Sequence, residues 1–328
     1  MDDKTLTIAV LVPCYNEALT IGKVVDDFRA ALPDADIYVY DNNSTDGTGA
    51  IAKEHGAIVR ACPLQGKGNV TRQMFREIKA DAYLMVDGDD TYPAESARAL
   101  LEPIISGEAD MAIGDRLQNG KGAYYDAEAE HENRALHSFG NKLVIRLIDS
   151  LYRTDVRDVM TGYRAFSRLF VETYPVTSNG FEVETEMTIH ALDHGFRIAQ
   201  IPIEFRERPA GSQSKINTFT DGLLVLRTIG SLFREYKPMR FFGAIALILL
   251  IVTLLLGIPV LVEFATTNYI THVPLAIAAA GCAILTALFF ITGLILDSAA
   301  RQTRKAYELT VIGRARAIED EEESNSCN

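Results

Sequence analysis

Residues 83–91 read Tyr-Leu-Met-Val-Asp-Gly-Asp-Asp-Thr. A short apolar run stops at Asp87, and Asp87, Asp89 and Asp90 follow almost in succession. An apolar run closed by an Asp/Gly cluster is the pattern of a buried strand entering a loop. Carboxylates this close repel one another unless a cation sits among them. Hard divalent ions such as Mg²⁺ or Mn²⁺ take oxygen ligands of this kind and hold phosphate oxygens as well. An Asp/Gly surface turn has the same composition, so the companion segments decide between the two.

Working outward, residues 8–12, 37–40 and 112–114 are apolar runs of the same type, and residues 20–32, 48–55 and 69–78 between them read as helices. This alternation predicts an α/β domain, a mostly parallel Rossmann-like sheet with helices on both faces. Ligands of such sheets sit at the carboxyl ends of the strands. Two further polar loops follow strands: Pro13, Cys14, Tyr15, Asn16 and Glu17 in one, and residues 41–48, DNNSTDGT, in the other. Asp41 at its strand end suits a base or ribose. Ser44 or Asp46 suits the cap of the next helix. Gly66, Lys67 and Gly68 supply a flexible cationic loop, with Arg72 one turn further on.

The chain has 328 residues with a formal net charge of -12, which disfavours nucleic acid as a partner. Its four cysteines, Cys14, Cys62, Cys282 and Cys327, are scattered without a C-x-x-C pair. That pattern suits a reducing compartment and suggests no zinc site. The acidic start and the early stop at Pro13 do not fit a secretory signal.

Residues 241–262 and 273–296 contain no charged side chain, and each run is long enough for a transmembrane helix. Arg227, Arg234, Lys237 and Arg240 precede the first, Arg301, Arg304 and Lys305 follow the second, and the connecting loop has no Lys or Arg. The positive-inside rule then expects a two-helix hairpin in an integral membrane protein, with the α/β domain and both termini cytoplasmic. Residues 216–236 carry apolar side chains at helical spacing and read as an amphipathic helix at the membrane interface. The acidic end of the chain reads as a solvated, disordered tail. The expected division is an α/β domain at 1–210, a loop and interfacial helix at 211–239, the hairpin at 240–298 and a cytoplasmic tail at 299–328.

Residues 12–17 (VPCYNE), 41–48 (DNNSTDGT), 66–68 (GKG) and 87–90 (DGDD) stand in the order and approximate spacing of a known family. Over residues 8–300 the chain resembles the family 2 inverting glycosyltransferases of GT-A fold. Within them it is similar to the dolichol-phosphate mannose synthase and polyprenyl-phosphate glycosyltransferase group. The resemblance implies nucleotide-sugar contacts at Pro13, Tyr15, Glu17, Asp41, Asn43 and Lys67. It implies Asp87 and Asp89 at the diphosphate and its Mg²⁺ or Mn²⁺. It also implies that Arg116, Arg134 and Ser138 bind the acceptor phosphate and, with Asp89, form the catalytic set. Guanidinium forks suit phosphate oxygens. Residues 158–164 (DVMTGYR) resemble another element of the group. Arg208 and Lys215 belong to a loop similar to one that closes over the donor. Glu182, Glu184 and Glu186 read as a solvated helix face. Asn42 stands where the family often has Asp, and Thr91 where it often has Gln, which leaves a third metal ligand open. The chain has no Trp, so the Q-x-x-R-W element of processive synthases is absent and a single transfer is expected.

The expected reaction moves one sugar from a nucleotide-sugar to undecaprenyl or dolichyl phosphate with inversion. A UDP-sugar is favoured, GDP-mannose stays open, and a homo-oligomer is compatible. A lipid-linked glycan as acceptor, or a non-catalytic membrane scaffold, are the alternatives.

Overall fold

The computed structural model describes residues 6–116, 149, 152, 154–206, 208–209, 230–231 and 233–326. At its centre β1 (Ile8–Cys14) pairs in parallel with β2 (Asp36–Asp41) and β4 (Ala82–Met85). Val10, Leu11 and Val12 have no exposure, and all of β4 is buried. Strands covered on both faces read as unbroken apolar runs rather than alternation, which is why the sequence marks them. β3 (Ile58–Ala61) extends the sheet beyond β2.

On the other side the order is β4, β6 (Arg164–Ser167), β5 (Met111–Asp115) and β7 (Ile198–Pro202), completing a seven-stranded sheet among the described residues. β6 runs antiparallel to both β4 and β5, and β7 is parallel to β5. The sheet is therefore mixed, with one reversed strand in an otherwise parallel set. The ends of β1, β2, β4, β5 and β7 and the start of β6 share one edge.

Helices α1 (Ile21–Ala31), α2 (Thr48–Glu54), α3 (Lys67–Glu77), α4 (Ala97–Ile105), α5 (Arg168–Thr173) and α6 (Val183–His194) connect the strands. α1 buries Ile21, Val24, Val25 and Phe28, the spacing of one helix face. Burial of each such side chain contributes about 1.5–3 kcal/mol.

Two compact units are separable, Met1–Leu226 with Thr310–Asn328, and Arg227–Leu309. The second holds α7 (Pro238–Thr267) and most of α8 (Val273–Ser326). Their most apolar windows have mean hydropathy 3.1 and 2.3, with 11% and 6% of residues buried. Apolar helices that protein leaves this uncovered fit a hydrocarbon environment; both are candidate membrane spans covering residues 241–262 and 273–296. The expected interfacial helix lies largely outside the described residues.

The tail differs from expectation, since α8 continues to Ser326. Ala, Arg and Glu in residues 299–323 are strong helix formers. Within the first unit, Arg314 pairs with Glu172 and Arg168 with Glu321, while Arg168 also meets Glu172 at 3.0 Å. These pairs offset the repulsion that would otherwise keep an acidic tail solvated.

Candidate active site

The shared edge gathers the sequence-marked loops. The first two interlock through backbone groups. Asn16 N donates to Ser44 Oγ at 2.9 Å, Glu17 N to Thr48 Oγ1 at 2.8 Å, and Thr45 N to Asn16 Oδ1 at 2.8 Å. Asn16 has φ 53°, a left-handed conformation that Asn tolerates better than most residues. Asp41 Oδ1 accepts from Ser44 N at 2.9 Å, and a Cβ on Gly49 would stand 2.9 Å from Asp41 Oδ2. Tyr15 is 40% exposed beside this pair of loops, and Pro13, next to last in β1, is half-buried.

Asn42 proves structural. It is buried; its Nδ2 donates to Cys62 O at 3.0 Å and Leu64 O at 2.8 Å, and its Oδ1 accepts from Gly66 N at 2.7 Å. Only an amide can donate and accept in this way; an ionised Asp would set its oxygens against two carbonyls. Asn43 (φ 66°) reaches Pro63 O and Gln65 Oε1, each at 3.1 Å. Loop 41–43 thus fixes the entry to the Gly66, Lys67, Gly68 turn. That turn is pressed against residues 178–179. A Cβ on Gly66 would come within 2.2 Å of Asn179 O, and one on Gly68 within 2.3 Å of Ser178 O.

Lys67 Nζ lies 2.5 Å from Asp87 Oδ1 and 2.5 Å from Glu184 Oε1. For Lys67, burial works downward, but the Asp87 and Glu184 carboxylates outweigh it and hold the ammonium above its ordinary range. Burial pushes the Glu184 carboxyl above its usual range, Lys67 pulls against that and Asp87 adds to it. The solvated-face reading of Glu182, Glu184 and Glu186 is therefore corrected at the last two. Glu184 and Glu186 are 7% and 2% exposed, because the start of α6 packs into the site. Glu186 accepts from Thr177 N at 3.1 Å and Ser178 N at 2.8 Å, shaping the loop behind Lys67. The helical period alone does not say which face of α6 meets a neighbour, and so the acidic run misleads.

Asp89 is nearly buried and its Oδ2 lies 2.7 Å from Arg208 Nη2. Thr91 Oγ1 donates to Asp89 Oδ1 at 2.6 Å; Thr91 thus orients the carboxylate. Asp90 (φ 60°) turns away and pairs with Lys23 at 2.7 Å. Among the described residues no group of three His, Cys, Asp or Glu side chains converges as a closed metal cage. Asp87 and Asp89 remain as hard oxygen donors, a set that fits Mg²⁺ or Mn²⁺ completed by water and phosphate oxygens.

Arg116 follows β5. Its Nε and Nη2 bond Asp158 Oδ2 at 2.6 Å and Oδ1 at 2.9 Å, a bidentate pair. Its Nη1 donates to Tyr92 OH at 3.3 Å, and its guanidinium lies 5.2 Å from the Phe205 ring centroid. Tyr92, pushed up to about 12 by burial, stays neutral and also accepts from Gly162 N at 3.0 Å. Arg164 is fully buried and donates to Thr161 O at 2.9 Å, Val159 O at 2.8 Å and Thr188 Oγ1 at 2.9 Å. It folds loop 158–163 and ties it to α6. Arg206 pairs with the exposed Glu95. Arg134, Ser138 and Lys215 lie outside the described residues.

The structure brings Lys67, Asp87, Asp89, Arg208 and Arg116 to one edge. Sequence reasoning missed Glu184, Tyr92 and the tie of Asp158 to Arg116. The D-x-x-T-G-Y-R element marked Asp158 as part of a motif, but nothing in its spacing points to Arg116, 42 residues earlier in the chain.

A family model described as glycosyl transferase family 2 matches residues 9–174. Glycosyltransferase AglJ of Haloferax volcanii is 34% identical over 239 residues, covering 73% of this chain and 76% of that protein. A dolichyl-phosphate hexose transferase of the same organism is 31% identical over 222 residues, covering 68% and 92%. The solved structure of glucosyl-3-phosphoglycerate synthase from Mycobacterium tuberculosis, in complex with Mn²⁺, UDP and glucosyl-3-phosphoglycerate, aligns with TM-score 0.55. It covers 71% of this chain and 80% of that one at 22% identity, a likeness of fold.

Proposed function

The chain belongs to glycosyl transferase family 2, and from that premise we propose that it transfers one sugar from a nucleotide-sugar to a polyprenyl phosphate with inversion at the anomeric carbon. The observation that carries the donor half is the pairing of Lys67 with Asp87 and of Arg208 with Asp89. Cations and carboxylates set side by side match a diphosphate with its counter-ion, the cations suiting the phosphate oxygens and the carboxylates the metal. Asp87 and Asp89 would hold Mg²⁺ or Mn²⁺, which, when bound, would neutralise the charge on the departing diphosphate. The dolichyl-phosphate hexose transferase relative and the candidate spans α7 and α8 support a lipid acceptor.

In this reading Lys67 and Arg208 bind the diphosphate oxygens. Asp41 and loop 13–17 face the nucleoside. Arg116, held by Asp158, meets the acceptor phosphate, with Arg134 and Ser138 as further donors and Lys215 in the closing loop. An acceptor phosphate oxygen forms the new bond to the anomeric carbon. The bond to the nucleoside diphosphate breaks, and the electron pair leaves with that diphosphate. A phosphate monoester is already anionic near neutral pH, so positioning and charge stabilisation take the place of a general base. A UDP-sugar is the favoured donor. Catalytic domain and both termini face the cytoplasm in this reading, which the basic flanks of the spans support.

The test is a transfer assay with purified protein in detergent, given polyprenyl phosphate, Mg²⁺ or Mn²⁺, and labelled nucleotide-sugars in turn. An acid-labile labelled lipid with one donor is the expected result. Donor binding without any lipid product would overturn the acceptor assignment.

A further inference from the structure

We infer that Glu184 is a positioning residue: it holds the Lys67 ammonium to one side of Asp87, so that the lysine is aimed at the donor diphosphate and Asp87 keeps Oδ2 for a cation. The inference rests on the donor-site reading above. Lys67 Nζ is shared between Asp87 Oδ1 and Glu184 Oε1 at equal distances of 2.5 Å. The side chains of Lys67 and Glu184 are 7% and 9% exposed, while that of Asp87 is 26% exposed. Asp87 is thus the open end of the trio and Glu184 its buried anchor.

The backbone around them leaves Lys67 little freedom. Gly66 and Gly68 are packed on the carbonyls of Asn179 and Ser178, and a Cβ on Gly162 would stand 2.9 Å from Lys67 Nζ. The ammonium is hemmed between its two carboxylates on a side that Gly162 closes. Without the Glu184 charge it would close on both oxygens of Asp87, away from the diphosphate and in competition with a cation.

The sign of one measurement separates positioning from bulk charge. A carboxylate that acts only through its charge repels the diphosphate, so its loss would tighten binding. A carboxylate that aims Lys67 gives the opposite result. Calorimetry on the full chain in detergent, with excess Mn²⁺, titrates UDP and GDP into wild type, Glu184→Gln, Lys67→Met and the double variant. Glu184→Gln is expected to weaken the diphosphate that wild type binds by about tenfold, a change of about 1.4 kcal/mol. The double variant is expected to bind like Lys67→Met alone, because Glu184 acts through that lysine.

Unchanged or tighter binding in Glu184→Gln, or losses that add in the double variant, would overturn the inference. If Glu184→Gln fails to fold, Glu184→Asp, which keeps the charge one methylene shorter, reads the same point by intermediate binding; binding equal to wild type there overturns it. None of these arms uses lipid. Absent transfer to polyprenyl phosphate would therefore strike the acceptor assignment and leave the Glu184 result standing. Failure of wild type to bind either diphosphate would overturn the donor reading and this inference together.

Discussion

Gly162→Ala adds one methyl group directly against the Asp87 carboxylate. The Cβ would lie 2.4 Å from Asp87 Oδ2 and 2.9 Å from both Asp87 Cγ and Lys67 Nζ. The glycine does not occupy the left-handed region, so alanine meets a steric conflict and no backbone penalty. Asp87 cannot rotate away freely, because Oδ1 holds Lys67 at 2.5 Å and Lys67 is held in turn by Glu184. Overpacking of this kind costs about 1–3 kcal/mol, and a disturbed charge-assisted hydrogen bond about 1.5–3 kcal/mol. Partial relaxation gives a net loss of roughly 2–3 kcal/mol. For a unit of this size that is a fall in Tm of roughly 5–10 °C. A thiol-reactive dye reads the melt, since Cys14 and Cys62 are buried in the folded unit. Transfer should fall by about a hundredfold, because displacement of about 1 Å in a reacting group costs that much. In an Asp87→Ala background only the 2.9 Å approach to the end of the Lys67 side chain remains, and Gly162→Ala should then cost less than it does in wild type, about 1 kcal/mol or below. A Gly162→Ala protein with wild-type Tm and activity would refute the placement of loop 158–163 over the trio.

Other expectations follow from single contacts. Asp158→Asn replaces the carboxylate that grips Arg116 through two bonds; the apparent KM for polyprenyl phosphate should rise about tenfold or more while nucleotide binding is kept, and an unchanged KM would remove Arg116 from the acceptor site. Asn42→Asp sets an anion against the carbonyls of Cys62 and Leu64 and should destabilise the fold by about 2–4 kcal/mol, read by the same melt; a wild-type melt would mean the loop is held otherwise. His190, buried beside His194, has its pKa pushed down to about 3 by burial and by that neighbour. Its neutral form therefore contributes stability that is complete above its unfolded pKa of about 6.5 and is lost as pH falls below it, at about 1.4 kcal/mol per pH unit. Between pH 6.5 and 5, Tm should fall less steeply in His190→Phe than in wild type, and parallel curves would refute the buried neutral ring. Chelation with EDTA should abolish transfer and added Mn²⁺ or Mg²⁺ restore it; full activity in EDTA would exclude the metal role of Asp87 and Asp89.

How far the fold could be read depended on where apolar pattern and topology coincide. β1 and β4 are covered on both faces and β2 over its later residues, so composition marks them, and the loops after them fall together because the strands are parallel. β6 gave no such signal: its four residues begin with Arg164, a side chain that a sequence reading places at the surface and that the structure buries completely. The reversal is nonetheless what completes the site. A strand antiparallel to β4 brings its start, and with it loop 158–163, to the edge where the parallel strands end. The Asp158 carboxylate then meets Arg116 from the end of β5, and Gly162 closes over Asp87. Glu184 was hidden for a related reason. An acidic run on a helix is solvated by default, and at Glu184 a neighbouring cation shielded from water reverses that. Lys67 is that cation, yet it lies 117 residues away in the chain. The loops that carry the donor chemistry are local and legible; the groups that aim them come from crossings between distant segments, which composition and spacing do not encode.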